Sequence, residues 1–126
     1  MKLHKIAAIL AFIIGAMAIF AGGQVIFLGK EMNYHVITWL PYYNFTMGVI
    51  TFVVTALLIW KNHRYARVAA LATFAAHALV MIILLIGYKG VVAPESIKAM
   101  TVRLTVWVMI LILLYLETRI RSQATA

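Results

Sequence analysis

The sequence predicts an all-α fold: an integral membrane bundle of four transmembrane helices with both termini on the cytoplasmic side. Three observations carry this reading. Of 126 residues, 66% are hydrophobic and 11% charged, with a mean hydropathy of +1.04. A soluble domain carries about 25% charged and 45–50% apolar residues. The apolar residues also fall into four runs, each near the roughly 20 residues needed to cross ~30 Å of hydrocarbon. Finally, the basic residues divide unequally between the two ends of those runs. The chain 1–126 therefore reads as a single transmembrane domain, with spans at about 6–28, 42–60, 68–88 and 96–118.

The first run, Ile6 to Leu28, has Gln24 as its one strongly polar side chain. Its start could pass for a secretory signal ending at Ala16-Met17-Ala18, but the run continues well past the length of a signal core. It is read as a retained span. Tyr42 to Trp60 is the second run, and Val68 to Tyr88 is the third, interrupted by His77. Leu104 to Leu116 is too short to span alone, so the fourth helix must start upstream. Pro94 suits a first helical turn and Ser96 a cap, which carries Lys98 and Arg103 into the helix. The connections are short, which implies neighbouring antiparallel helices. The first, from Gly29 to about Pro41, contains Asn33-Tyr34-His35-Val36-Ile37-Thr38-Trp39-Leu40, too apolar for a freely solvated loop. It is expected to lie at the outer interface, partly helical.

The net charge of +8 is assigned to membrane topology and lipid headgroups, not to nucleic acid, because no Lys/Arg run forms a nucleic-acid arm. Lys2, Lys5, Lys61, Arg64, Arg67, Arg119 and Arg121 fall at one end, and Lys30, Lys89, Lys98 and Arg103 at the other. The richer end marks the cytoplasmic side, as expected for a bacterial inner (cytoplasmic) membrane. Tyr34, Trp39, Tyr42, Tyr43 and Tyr88 fit an outer aromatic belt, and Trp60, Tyr65 and Tyr115 an inner one.

Absences narrow the chemistry. The chain has no cysteine, so disulfides and thiolates play no part. Its acids are Glu31, Glu95 and Glu117, with no aspartate. No phosphate loop, paired-histidine zinc motif or carboxylate dyad is present, so neither catalytic residues nor metal ligands are assigned, and the chain reads as a non-enzyme.

Candidate interior faces come from small and polar residues, which mediate helix association where lipid is as apolar as leucine. Ala7, Ala11 and Gly15 repeat every four residues on the first helix, continued by Ala18 and Gly22. Asn44, Gly48, Thr51 and Thr55 make one stripe on the second. Ala72 and Ala76 suggest packing on the third, where Thr73 and His77 also share a face, with His77 near mid-membrane. Such a residue calls for a partner, and a threonine or tyrosine across the bundle would suffice. On the fourth helix Thr101 and Thr105 share a face, as do Arg103 and Trp107. A guanidinium can stack on an indole. Arg103 either snorkels to outer headgroups or turns inward beside Gln24 and Asn44. Facing inward, with no acid in the spans, its counter-ion would be Glu31 or Glu95 from the loops or a bound anionic ligand, and its five-donor fork suits a phosphate or carboxylate.

These residues imply a small membrane protein that binds, and could translocate, an anionic or amphiphilic ligand from the outer-leaflet side. Arg103 would anchor it. Gln24, Asn44, Tyr42 and Tyr43 would supply hydrogen bonds, Trp107 would cover the arginine stem, and His77 and Thr51 would line the deeper part. No cofactor is assigned. An accessory subunit in a homo-oligomer or larger membrane complex fits equally. A redox module binding b-type haem or quinone, with His77 as the contact, is the alternative, although no second histidine is expected at its depth.

Overall fold

The computed structural model describes residues 2–29, 31 and 35–125, the last two of them by backbone alone. Helix α1 is Leu3–Ile26 and α2 is Leu40–Ile50. A π-helical turn, Thr51–Thr55, joins α2 to α3, Ala56–Trp60, without a break in direction. Helices α4, Ala66–Gly87, and α5, Pro94–Thr125, complete the chain. Four stretches are long and apolar enough to cross a membrane: Leu3–Ile26, Leu40–Trp60, Ala66–Gly87 and Pro94–Gln123. Lys30, Asn33 and Tyr34 lie outside the described residues.

The helices alternate in direction around a closed ring. α1 packs against the α2–α3 span and α5, and α4 against α5, the π-helical turn and α3. The outward surface is apolar almost throughout: Phe20 is 69% exposed and Ile86 75%. An exterior of this kind is a liability in water and suits hydrocarbon.

Small residues set the closest seam. On α1, Ala7, Ala11, Gly15, Ala18 and Gly22 are all buried. A Cβ on Gly48 would sit 2.7 Å from the Ile19 nitrogen, and one on Gly22 would sit 2.4 Å from the Pro41 carbonyl oxygen. The backbones of α1 and α2 therefore touch directly, which only glycine permits here. The alanines expected on α4 behave differently. Ala72 is exposed and Ala76 half-buried, and the inward face is Ala66, Ala70, Thr73, His77, Val80 and Leu84. Thr73 and His77 belong to this stripe by their one-turn spacing, and Ala72 falls on the opposite side.

Two apolar clusters fill the bundle. Near the termini, Ala7, Ala8, Ala11, Ala56, Ala70, Ile110 and Leu114 pack together with Trp107. At the other end, Ile37 and Leu40 pack on Val80, Leu84 and Met100. The first connection thus tucks apolar side chains over the loop end of the bundle. Residues 35–39 form no helix, and helical structure resumes only at Leu40. Trp39 Nε1 donates to the Tyr88 hydroxyl at 2.8 Å, which pins this segment across the end of α4.

The helices extend past the expected spans where polar partners await them. α1 starts at Leu3 because His4 and Lys5 both find acceptors on other elements, as described below. α5 is 32 residues long, about 48 Å at 1.5 Å per residue, so it outruns a ~30 Å hydrocarbon layer.

Candidate functional site

The loop end of the bundle carries a pocket of about 80 Å³ between α1, α2 and α5. A single water needs about 10–15 Å³ of such space, so a small polar group fits. Gln24 comes from α1, Asn44 from α2, and Glu95, Ser96 and Arg103 from α5, while Val25, Leu40 and Met100 supply apolar wall.

Arg103 is only 7% exposed. It lies nine residues past Pro94, about 14 Å along the helix. Its Nη1 donates to Asn44 Oδ1. Among the described residues no carboxylate lies within 4.0 Å of this guanidinium; the ion pairs present both involve Glu117. Asn44 is neutral, so it satisfies a donor without balancing the charge. Moving a cation out of water without a counter-ion costs several kcal/mol.

Below this pocket the bundle is closed by polar contacts. The Tyr43 hydroxyl and His77 Nδ1 are hydrogen-bonded at 2.8 Å, with the rings edge to face at 5.7 Å. His77 is 3% exposed and has about 15 Å of helix on either side. Thr73 donates to the Ala69 carbonyl at 2.8 Å. Its partner Thr55, at 3.1 Å, must therefore be the donor in their shared bond. Trp107, fully buried, faces His77 with ring centroids 6.5 Å apart. Its Nε1–H is the one buried side-chain polar atom without a partner among the described residues.

The residues singled out in the sequence thus separate into three groups. Gln24, Asn44 and Arg103 converge on one pocket. Tyr43, His77 and Trp107 form a ring cluster at mid-depth, and Thr51 is buried nearby on the turn facing α1. Tyr42 stands apart, 59% exposed on the outer face of α2. The expected stacking of Arg103 on Trp107 does not form: the guanidinium turns towards Asn44, and the indole faces His77 instead. Thr101 and Thr105 are exposed, each donating to the carbonyl four residues back. His77 meets no second histidine. His4 lies at the other end of the bundle, and His35 and His63 are exposed.

Sequence reasoning missed a second polar centre, at the termini end. His4 Nδ1 donates to both carboxylate oxygens of Glu117, at 2.7 and 2.8 Å, and the His4 backbone N–H donates to Oε1 at 3.3 Å. Both residues are buried. Arg121 approaches the same carboxylate at 3.7 Å. Lys5 donates to the Trp60 carbonyl at 3.0 Å and lies 3.9 Å above its ring. One signal was available. In a bundle with an even number of spans the start of α1 and the end of α5 share an end, and each carries a lone group able to complement the other. Among the described residues no cluster of three histidines or carboxylates could hold a metal ion. Comparison with models of protein families, with characterised proteins and with solved structures found no match for this chain.

Proposed function

We propose that this is a membrane-inserted binding protein, with its termini on the cytoplasmic side, whose Arg103 pocket holds the anionic head of an amphiphile from the outer leaflet. One observation carries the reading: a buried guanidinium that faces a pocket and has no carboxylate within 4.0 Å among the described residues, with Glu95 lining the same pocket farther off. An arginine in that position needs an anion, and a phosphate or carboxylate oxygen pair fits its planar fork. The mixed wall supports an amphiphile, with Gln24, Asn44 and Ser96 towards the head and Val25 and Met100 towards the chain. The filled interior below, from Met100 to Leu114 on α5, supports binding at the outer end over passage through the bundle. The basic residues concentrated at the termini end support the orientation.

The test uses dodecyl phosphate and, as a neutral control, dodecyl maltoside, titrated against purified protein in a nonionic detergent. Dodecyl phosphate should bind selectively, and Arg103→Ala should weaken it by about 1.5–3 kcal/mol, roughly 10- to 150-fold. Arg103→Lys should lose nearly as much, because lysine lacks the bidentate fork. A lysine variant indistinguishable from wild type would reduce the site to a point charge and overturn the proposal. A Soret band in the purified protein would favour a haem-binding role in its place.

A further inference from the structure

The opposite end of the bundle holds a second cleft, of about 350 Å³, walled by the second connection, the start of α4 and the end of α5. Arg64, Arg67 and Arg121 line it from those three segments, with Glu117 as its carboxylate. His4 donates to that carboxylate and Arg121 approaches it at 3.7 Å, so three guanidinium groups face a single carboxylate. Each guanidinium is also held in place. Arg67 donates to the Thr118 hydroxyl. Arg121 lies beside the Asn62 side-chain amide and 3.7 Å from the Glu117 carboxylate. Arg64 lies over the Tyr65 ring at 4.8 Å.

The connection itself is built to carry these groups. Asn62 adopts φ 52°, a left-handed conformation that asparagine tolerates better than most residues. The turn is closed by the His63 N–H donating to the Leu58 carbonyl at 2.9 Å. His63 Nδ1 then accepts from the Tyr65 N–H at 3.1 Å. A guanidinium offers five donors in a planar fork, and Thr118 takes one of Arg67's.

We infer that this cleft is a phosphate site, and that its occupant is the phosphodiester of an anionic lipid. Two features favour a lipid source over a free anion. Trp60 and Tyr65 mark this end as the aromatic belt where headgroups lie. Val68, 63% exposed at the edge of the cleft, offers apolar surface for the first acyl carbons. Basic pockets between helices on a cytoplasmic face take lipid headgroups for these same reasons. The inference rests on the membrane insertion proposed above and is independent of the Arg103 pocket.

The experiment is native mass spectrometry of the full-length protein released from nonionic detergent, offered phosphatidylglycerol or phosphatidylcholine at equal mole fraction. Phosphatidylglycerol should be retained at least fivefold over phosphatidylcholine. The comparison is made in an Arg103→Gln background, which removes the other anion pocket; there the preference should persist, and adding Arg64→Gln/Arg67→Gln should abolish it. If circular dichroism shows that combination misfolded, Arg64→Gln added alone carries the test, because that side chain makes no bond between helices; it should reduce the preference at least twofold. Retention unchanged in these variants, or equal for the two lipids, overturns the phosphate site. If inorganic phosphate alone raises the unfolding temperature of the Arg103→Gln protein but not after Arg64→Gln/Arg67→Gln is added, with no lipid preference, the lipid assignment falls. A preference lost in Arg103→Gln and kept in Arg64→Gln would place the bound lipid in the other pocket.

Discussion

The seam between α1 and α2 and the seam between the α2–α3 span and α4 solve one problem in opposite ways. Along the first, Gly15, Gly22 and Gly48 let backbones touch, and stability comes from dispersion over a close fit. Along the second, Tyr43–His77 and Thr55–Thr73 bridge a wider gap with hydrogen bonds. The first seam tolerates almost no added volume. The second can lose a bond and keep its shape, because the remaining rings still fill the space.

That contrast can be broken most severely at Gly48. Gly48→Leu forces a side chain into the Ile19 backbone, and overpacking of this sort costs about 3 kcal/mol or more when backbone must shift. Unfolding in mixed detergent, followed by circular dichroism, should show loss of the folded bundle under conditions where wild type is intact. A tolerated leucine would mean that the two backbones are not in contact.

The next effect is expected at the α1–α5 seam. Glu117→Ala strands the buried His4 ring and its backbone N–H, at a cost of about 1–3 kcal/mol. The same unfolding assay should place it between Gly48→Leu and the hydrogen-bond variants. His4→Ala combined with Glu117→Ala should cost less than the sum of the two single changes, the signature of a coupled pair.

Smallest are the mid-depth changes. Tyr43→Phe and Thr55→Val each remove one interhelical bond and keep most of the volume, and such bonds in membranes average about 0.6 kcal/mol. Both variants should remain folded and retain dodecyl phosphate binding. A loss above about 2 kcal/mol from either, which exceeds the largest such bond measured, would show that the polar seam is as exacting as the glycine seam.

The four helices long and apolar enough to cross a membrane were legible because such a length and composition can be read directly from the sequence. The meeting of Arg103, Asn44 and Gln24 could be anticipated from their shared loop end, although Arg103 sits nine residues inside α5 against four for Asn44 in α2 and two for Gln24 in α1. Depth does not specify rotation, however. Tyr42 and Tyr43 are adjacent, and only one can face inward; Ala72 and Thr73 pose the same choice. The His4–Glu117 pair was hidden for a different reason. Residues 113 positions apart carry no local periodicity that links them, and lone polar residues at helix ends read as solvated until the ends are brought together.

The π-helical turn at Thr51–Thr55 has a bearing on how such a chain could have been assembled. A turn of this type holds about one residue more than an α-helical path of equal rise, and each residue rotates an α-helix by about 100°. The turn therefore acts as a phase shifter within a single span. Before it, Asn44 and Gly48 are aimed at α5 and α1; after it, Thr55 is aimed at α4. Deleting one residue there would swing Thr55 through roughly that 100° and leave every contact on the loop side in place. The two halves of the span are thus angularly independent, and an insertion of one codon is enough to give each half its own set of neighbours.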